Sequence, residues 1–186
     1  MTNKLRGSRC YLCGAMDRVA DAGTVWRKAI REDLGDLGLV WLDPTRKPIN
    51  IGLEDDESRR RRRINKHNGD FAAVRVEMKK IRHVDLRMVD ICDFVIVNLD
   101  MDIHACGTYE EIFLANSQKK PVLIHVEQGK ENAPDWLFAT LPDEYIFSYW
   151  GELSSFVRDI ADGMEEDTHE RWGFFDWMGD NPKGIT

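Results

Sequence analysis

The chain has 186 residues, of which 42% are hydrophobic and 32% are charged, with a formal net charge of −7 at pH 7. This balance is typical of a folded globular protein, and the length favours a single domain over residues 1–186. The negative charge argues against a general nucleic-acid binder, and no apolar run approaches the roughly 20 residues that cross a membrane. The first residues, Met1 to Gly7, contain no apolar segment, so we expect a cytoplasmic protein without a secretory signal.

The four cysteines do not form a convincing metal or redox site. Cys10 and Cys13 make a C-x-x-C motif, but a zinc ribbon needs a second pair, and Cys92 and Cys106 are too far apart to supply it. The motif also lies in a strand-like apolar run, which favours a structural role for its reduced thiols. The histidines are scattered, and we predict no metal site.

Apolar runs typical of buried strands alternate along the chain with segments of helical periodicity. The predicted strands cover residues 9–13, 39–42, 93–99 and 121–126, with a weaker one at 145–149. The predicted helices cover residues 26–34, 71–91 with a break near Val84 and Asp85, 109–117 and 152–160. Such alternation predicts an α/β fold, a flavodoxin-like or Rossmann-like three-layer sandwich around a parallel five-stranded sheet.

Two segments interrupt this alternation. Residues 44–70 hold the acidic run Glu54 to Glu57, then the arginines Arg59 to Arg63, with few apolar residues; a long surface loop is expected, serving as a lid or subunit contact. The arginines favour a solvated run neutralised by the neighbouring acids over a grip on phosphate or nucleic acid. Residues 164–186 form an acidic and aromatic tail, whose apolar side chains usually dock on the same domain or on a neighbouring subunit. The aromatic residues of the tail are Trp172, Phe174, Phe175 and Trp177.

A carboxylate follows the third predicted strand at the expected start of a helix. Thr108-x-x-Glu111 fits a capping box, in which each side chain accepts a hydrogen bond from the backbone of the other residue. The same placement fits a nucleophile for a sugar carbon, because the carboxyl ends of parallel strands bind ligands and the helix dipole keeps a carboxylate ionised. Spacing alone leaves both alternatives open. Glu110 points about 100° away on a helix, so the two glutamates cannot share one role.

Three further features are candidates for chemistry. Asp85 is either the cap of a short helix or a second carboxylate that moves a proton. Tyr11 is either a core residue or the hydroxyl partner of a nucleophilic carboxylate. Gly14 to Arg18 form the loop after the first strand, the usual position for phosphate or ribose, although the loop lacks the G-x-G-x-x-G pattern.

In this order, these motifs resemble the nucleoside 2-deoxyribosyltransferase family. The likeness spans about residues 9–160 without the arginine-rich segment. It rests on Tyr11-Leu-Cys-Gly14, Asp85 to Asp93, Leu99-Asp100, Gly107-Thr-Tyr-Glu-Glu111 and Lys120-Pro-Val-Leu-Ile. The resemblance implies a flavodoxin-like fold, a nucleoside or nucleotide substrate, and neither a metal nor an organic cofactor. It also implies a homo-oligomer whose sites lie at subunit contacts.

The resemblance further implies a double displacement at the anomeric carbon. Glu111 would be the nucleophile that displaces the base, Asp85 would assist with the base or its proton, and Tyr11 would orient Glu111. Substrate contacts are expected from Gly14, Asp17, Arg18, Asp100, Gly107 and Thr108.

One position departs from the family pattern. Ala105 stands two residues before the glycine of the glutamate motif, where transferases often have an aspartate. Related nucleoside 5′-monophosphate N-hydrolases do not depend on that aspartate, and Arg18 would be available for a phosphate. The predicted activity is therefore cleavage of an N-glycosidic bond, with transfer to another base or to water. The alternatives are a non-catalytic nucleotide-binding module and a nucleic-acid-associated protein that acts through Arg59 to Arg63.

Overall fold

The fold is built on one parallel five-stranded sheet. The structure, a computed structural model, describes residues 3–47, 49, 51–52, 54–164, 169–173 and 175. The strands are β1 (Arg9–Gly14), β2 (Val40–Leu42), β3 (Phe94–Leu99), β4 (Val122–Val126) and β5 (Ile146–Phe147). They lie side by side in the order β2-β1-β3-β4-β5, and all neighbouring pairs are parallel. This is the flavodoxin-like strand order, which confirms the predicted fold class.

Helices cover both faces of the sheet. They are α1 (Thr24–Asp33), α2 (Asp56–His67), α3 (Phe71–Ile91), α4 (Cys106–Ser117), α5 (Asp135–Thr140) and α6 (Trp150–Asp162). One apolar core lies between the sheet and helices α1 and α6, and a second lies between the sheet and helices α3, α4 and α5. Of the described helices, none is long and apolar enough to span a bilayer.

Residues of β1 alternate between these two cores, as the pleat of a strand requires. Cys10 and Leu12 belong to the core under α1 and α6, whereas Tyr11 and Cys13 belong to the core under α3 and α4. The two cysteines of the C-x-x-C motif therefore lie on opposite sides of the sheet. They cannot share a metal ion or form a disulfide with each other.

The described part of the tail docks on its own domain. Trp172 and Phe175 are buried against Phe94 of β3, with ring centroids 5.6 Å and 6.3 Å from that ring. Phe174 and Trp177, which the sequence groups with them, lie outside the described residues.

A helix occupies much of the charged segment for which a loop is predicted. Asp55 caps α2 by accepting a hydrogen bond from the Ser58 N–H at 2.7 Å. Acidic residues stand in the first turn and basic residues in the last turn, the arrangement that complements the helix dipole. The prediction of a surface loop over residues 44–70 is wrong for the 12 residues of α2. The segment has few apolar residues and therefore no helical periodicity, because this helix is stabilised by its cap and its charges.

Helix α3 is continuous from Phe71 to Ile91. The predicted break near Val84 and Asp85 is wrong, since both residues lie on the buried face of the unbroken helix. Asp85 stands two-thirds of the way along α3 and therefore cannot cap a helix. An aspartate within an apolar stripe suggests a helix cap in the sequence, but Asp85 faces a cavity.

Candidate active site

A cavity of about 340 Å³ opens at the carboxyl ends of β1 and β3, on the face of the sheet that carries α3 and α4. The strand order reverses between these two strands, which is where open α/β sheets bind ligands. The volume lies within the range of small-molecule sites. The wall combines the loop after β1, one face of α3, the start of α4, and Pro44 and Glu54 from the segment between β2 and α2.

Glu111 lies in the second turn of α4 and faces this cavity. The Cys13 thiol donates a hydrogen bond to Glu111 Oε2 at 2.9 Å, and the Tyr11 hydroxyl donates to the same carboxylate. Burial raises the pKa of Glu111 to about 7 and outweighs these two hydrogen bonds, which lower it. The nearby charge of Asp85 raises it as well. Near neutral pH this carboxyl group therefore exists in both protonation states.

The capping box, one of the two alternatives for this stretch, is not formed. Helix α4 begins at Cys106 with Ala105 at the N-cap, and in the described structure no side chain caps it. Thr108 and Glu111 are therefore both inside the helix. The prediction that the helix dipole keeps Glu111 ionised is also wrong, because the effect fades after the first turn and burial dominates the pKa of Glu111.

Asp85 reaches the cavity from α3 and is paired with a lysine that the sequence did not single out. Lys47 Nζ lies 2.7 Å from Asp85 Oδ1 and also donates to the Gly52 carbonyl oxygen at 2.5 Å. The Lys47 side chain is completely enclosed. Burial raises the pKa of Asp85 to about 6, against the lowering effect of Lys47. No local sequence signal marks Lys47, since it comes from a polar segment 38 positions away.

Glu110 has a different environment from Glu111, as their helical spacing predicts. Its carboxylate is half-exposed at the cavity wall and forms an ion pair with Arg82 of α3. Hydrogen bonding from Arg82 lowers the pKa of Glu110, so this group is ionised and already partnered. Of the two glutamates, Glu111 is the one whose pKa is raised, and its hydrogen-bond donors are the neutral Cys13 and Tyr11.

The loop after β1 contributes to the wall only in part. Gly14 and Asp17 line the cavity. A side chain at Gly14 would bring a Cβ within 2.9 Å of the Trp26 ring and 3.0 Å of the Asn98 carbonyl oxygen, so this position requires glycine. Arg18 is exposed, with a positive φ of 68°, and lies outside the cavity wall.

Of the other three predicted substrate contacts, two line the cavity and one does not. Gly107 and Thr108 line the cavity through the first turn of α4. Asp100 does not: it accepts hydrogen bonds from the Asp102 N–H and from Gln128 Nε2, beside a different cavity. The structure thus brings Glu111, Asp85, Tyr11, Gly14, Asp17, Gly107 and Thr108 together and leaves Arg18 and Asp100 apart.

Two arginines that the sequence did not assign to the site hold its walls in place. Arg27 is fully buried in α1 and donates to the carbonyl oxygens of Leu12 at 3.2 Å and Gly14 at 2.9 Å, which braces the loop after β1. Arg62 of α2 donates to Glu54 Oε2 at 3.0 Å, beside the cavity. The prediction that Arg59 to Arg63 form a solvated run is therefore only partly correct, because Arg62 is buried.

The comparison with known families decides the assignment. The family model described as nucleoside 2-deoxyribosyltransferase matches residues 10–171 of this chain. The chain belongs to this family. The match covers β1 from its second residue, the other four strands in full, and all the residues that line the cavity.

Solved structures of two proteins named as 2-deoxyribosyltransferases share this fold. The 2-deoxyribosyltransferase of Bacillus psychrosaccharolyticus matches with a TM-score of 0.53 at 15% identity, over 79% of this chain and 90% of that one. The 2-deoxyribosyltransferase of Leishmania mexicana matches with a TM-score of 0.52 at 17% identity, over 81% of this chain and 97% of that one. At such identities these likenesses show the shared fold. A search of the curated proteins gives no significant match.

In this nucleoside 2-deoxyribosyltransferase family member, the cavity presents two carboxyl groups whose pKa values burial has raised, that of Glu111 to about 7 and that of Asp85 to about 6. One carboxylate and one carboxylic acid are what attack at a sugar carbon and protonation of a departing base require. Among the described residues, no group of three or more His, Cys, Asp or Glu side chains could hold a metal ion.

Proposed function

We propose that this protein cleaves the N-glycosidic bond of a free 2-deoxynucleoside and passes the deoxyribosyl group to a second base, with Glu111 as the nucleophile. One observation carries the proposal. The Glu111 carboxyl group faces a cavity of about 340 Å³ and accepts a hydrogen bond from Tyr11, and Asp85 faces the same cavity. Membership of the family supplies the class of substrate.

The first half-reaction forms a covalent intermediate. A Glu111 carboxylate oxygen attacks C1′ of the sugar, and the bond between C1′ and the base nitrogen breaks with its electron pair on the base. Asp85, in its protonated form, donates a proton to the leaving base. Burial raises the pKa of Asp85 to about 6, so about a tenth of this group carries a proton at pH 7. Because the pKa of Glu111 is higher, at about 7, the reactive state with Glu111 ionised and Asp85 protonated is a minor fraction of the enzyme.

The second half-reaction regenerates the enzyme. A nitrogen of the incoming base attacks C1′, the bond between C1′ and the Glu111 oxygen breaks, and Glu111 leaves as a carboxylate. Asp85 then takes the proton that the incoming base loses. Water in place of the second base would give free deoxyribose and make the reaction a hydrolysis. Two displacements at C1′ retain the configuration of the sugar.

The charges around the cavity favour a substrate without a phosphate. Three cations at or beside the cavity are already paired with carboxylates: Arg82 with Glu110, Lys47 with Asp85, and Arg62 with Glu54. Within the described residues, a 5′-phosphate would have to compete with one of these carboxylates. A neutral ribose 5′-hydroxyl would not.

A nucleoside 5′-monophosphate is the second candidate, on a separate observation. His104 and Arg82 line the cavity, and the first turn of α4 opens into it at Ala105 to Thr108 without a side-chain cap in the part of the chain described here. Backbone N–H groups at a helix start favour anions. A phosphate bound there would displace Glu110 from Arg82.

The test separates these possibilities with purified protein. Deoxynucleosides and their 5′-monophosphates are incubated with and without an acceptor base, and free base and new nucleoside are separated by liquid chromatography. The proposal expects exchange on free nucleosides that needs the acceptor, with a loss of about 10³-fold or more in Glu111→Gln. Glu110→Gln is the matched control and keeps most of the activity. Release of base undiminished in Glu111→Gln contradicts the proposal, and activity confined to monophosphates favours the second candidate.

A further inference from the structure

We propose that Cys13 is a positioning residue for the nucleophile: its thiol holds one carboxylate oxygen of Glu111 so that the other oxygen faces the sugar. This inference rests on the proposed role of Glu111. It adds a residue to the set Glu111, Asp85 and Tyr11. The added role is to orient the Glu111 carboxylate, not to react with the substrate.

The geometry assigns the thiol to one oxygen. Cys13 Sγ lies 2.9 Å from Glu111 Oε2 and 3.7 Å from the Thr108 carbonyl oxygen, and a thiol has one proton to donate. The closer and charged acceptor takes it. Cys13 is completely buried, so water does not compete for the same oxygen.

The fold explains why a strand residue reaches the nucleophile. Tyr11 and Cys13 are two positions apart in β1, so both side chains leave the same face of the strand and meet α4. Glu111 is therefore approached by two neutral donors from one rigid, central strand. Two hydrogen bonds from such a strand restrict the rotation of the carboxylate more than one would.

The chemistry of a thiol suits this position. A thiol has a single proton, so its hydrogen bond orients one oxygen of the carboxylate, and this hydrogen bond also lowers the pKa of Glu111. Burial, and then the negative charge of Glu111, raise the pKa of Cys13 well above its ordinary value, so the thiol keeps its proton. Besides Tyr11 and Cys13, the charges that act on Glu111 are those of Asp85 and Arg27.

The alternative is that Cys13 only fills space in the core under α4. A matched control distinguishes the two roles. Cys10 is equally buried in the same strand but faces the opposite core, away from Glu111. Replacing Cys10 removes a buried thiol from β1 without touching the carboxylate, whereas replacing Cys13 removes both the volume and the hydrogen bond.

The experiment compares Cys13→Ala, Cys13→Ser and Cys10→Ala by the pH dependence of kcat/KM. We expect Cys13→Ala to move the alkaline limb to higher pH, because this limb reports Glu111, whose pKa of about 7 is the higher of the two carboxyl groups. We also expect kcat to fall about tenfold, the worth of a hydrogen bond to a charged group, with KM within about twofold. Cys13→Ser keeps a donor and restores at least part of kcat and of the pH profile. Cys10→Ala leaves the pH profile as it is. A wild-type profile and kcat in Cys13→Ala overturn the inference.

A second measurement does not depend on turnover. The pKa of Glu111 is followed by ¹³C NMR of protein labelled at the glutamate side-chain carboxyl carbon, with Glu111→Gln to assign the signal. The inference expects a higher pKa in Cys13→Ala than in Cys13→Ser, and equal values overturn it. If Glu111→Gln retains full activity, the proposed function fails instead, whatever the Cys13 variants show.

Discussion

Lys47 and Asp85 form an ion pair of 2.7 Å that joins two parts of the chain that are distant in sequence. Lys47 belongs to the segment between β2 and α2, whereas Asp85 belongs to α3, and the lysine side chain is fully enclosed. A buried charge of this kind needs its partner, because removing one member leaves the other uncompensated. The pair therefore fixes a wall of the cavity and sets the acidity of the proposed proton donor.

Lys47→Met is expected to raise the pKa of Asp85, the proposed proton donor. Lys47 lowers the pKa of Asp85, so its removal raises that pKa further and shifts the acidic limb of the kcat/KM profile to higher pH. Lys28→Met is the control, since Lys28 is exposed in α1 and pairs with the exposed Glu32 at 3.7 Å. An acidic limb that stays in place in Lys47→Met while the protein remains folded would contradict the assigned role of the ion pair.

Asp85→Asn is expected to slow departure of the base, because an amide cannot supply the proton. General acid catalysis is typically worth about 10² to 10⁴ in rate, and a loss in that range is predicted for kcat/KM. A nucleoside analogue whose leaving group departs without protonation should lose much less. Equal losses on both substrates would show that Asp85 contributes only to binding or folding.

Glu111→Gln is expected to stabilise the fold at alkaline pH while abolishing activity. The pKa of Glu111 is raised from 4.5 to about 7, so between these values the folded state holds a proton that the unfolded state has lost. Stability of the wild type therefore falls as pH rises through this window and is lowest above about pH 7.

The neutral amide escapes this penalty. Urea unfolding at pH 8 should show Glu111→Gln more stable than the wild type by about 3 kcal/mol, with the difference vanishing below about pH 4.5. Glu110→Gln serves as the control and should show no such gain, because Arg82 stabilises the Glu110 carboxylate and lowers its pKa. A constant difference at all pH values would refute this origin of the effect.

Arg62→Met is expected to weaken both the fold and the binding of nucleoside. It removes the guanidinium that donates to Glu54 at 3.0 Å, and loss of one member of such a buried pair typically costs about 3 kcal/mol or more. Glu77 loses its 2.9 Å hydrogen bond from Arg62 but keeps those from Arg61. Glu54 lines the cavity, so KM should rise more than kcat falls. Arg63→Met changes an exposed neighbour in the same run and should change neither. Identical urea midpoints for the two variants would contradict this role of Arg62.

The sheet could be predicted because its signals are local. The apolar runs at β1, β3 and β4 are buried on both faces, which makes each strand visible in the sequence without knowledge of its neighbours. The edge strand β5 is shorter, with two residues, and the sequence shows it only weakly. Helix α2 was missed because charge, not apolar periodicity, holds it together.

Site residues could be predicted only where they lie in a short sequence motif. Gly107 to Glu111 and Tyr11 are visible as motifs, but Lys47, Arg62 and Arg27 act through contacts between segments far apart in the chain. No spacing rule reveals such partners. Cys13 is an intermediate case, since the alternation of β1 places it on the same face as Tyr11, and that pattern alone indicates a shared neighbour.

The most direct test of the central claim is to identify the residue that carries the sugar. A nucleoside with a fluorinated deoxyribosyl group, which slows the second displacement more than the first, is incubated with the protein without an acceptor base. The protein is then digested and the peptides are analysed by mass spectrometry. The account predicts one added fluorinated sugar on Glu111, absent in Glu111→Gln and regained as new nucleoside when a base is added. Release of base with the sugar on Glu110, or on no residue, would contradict it.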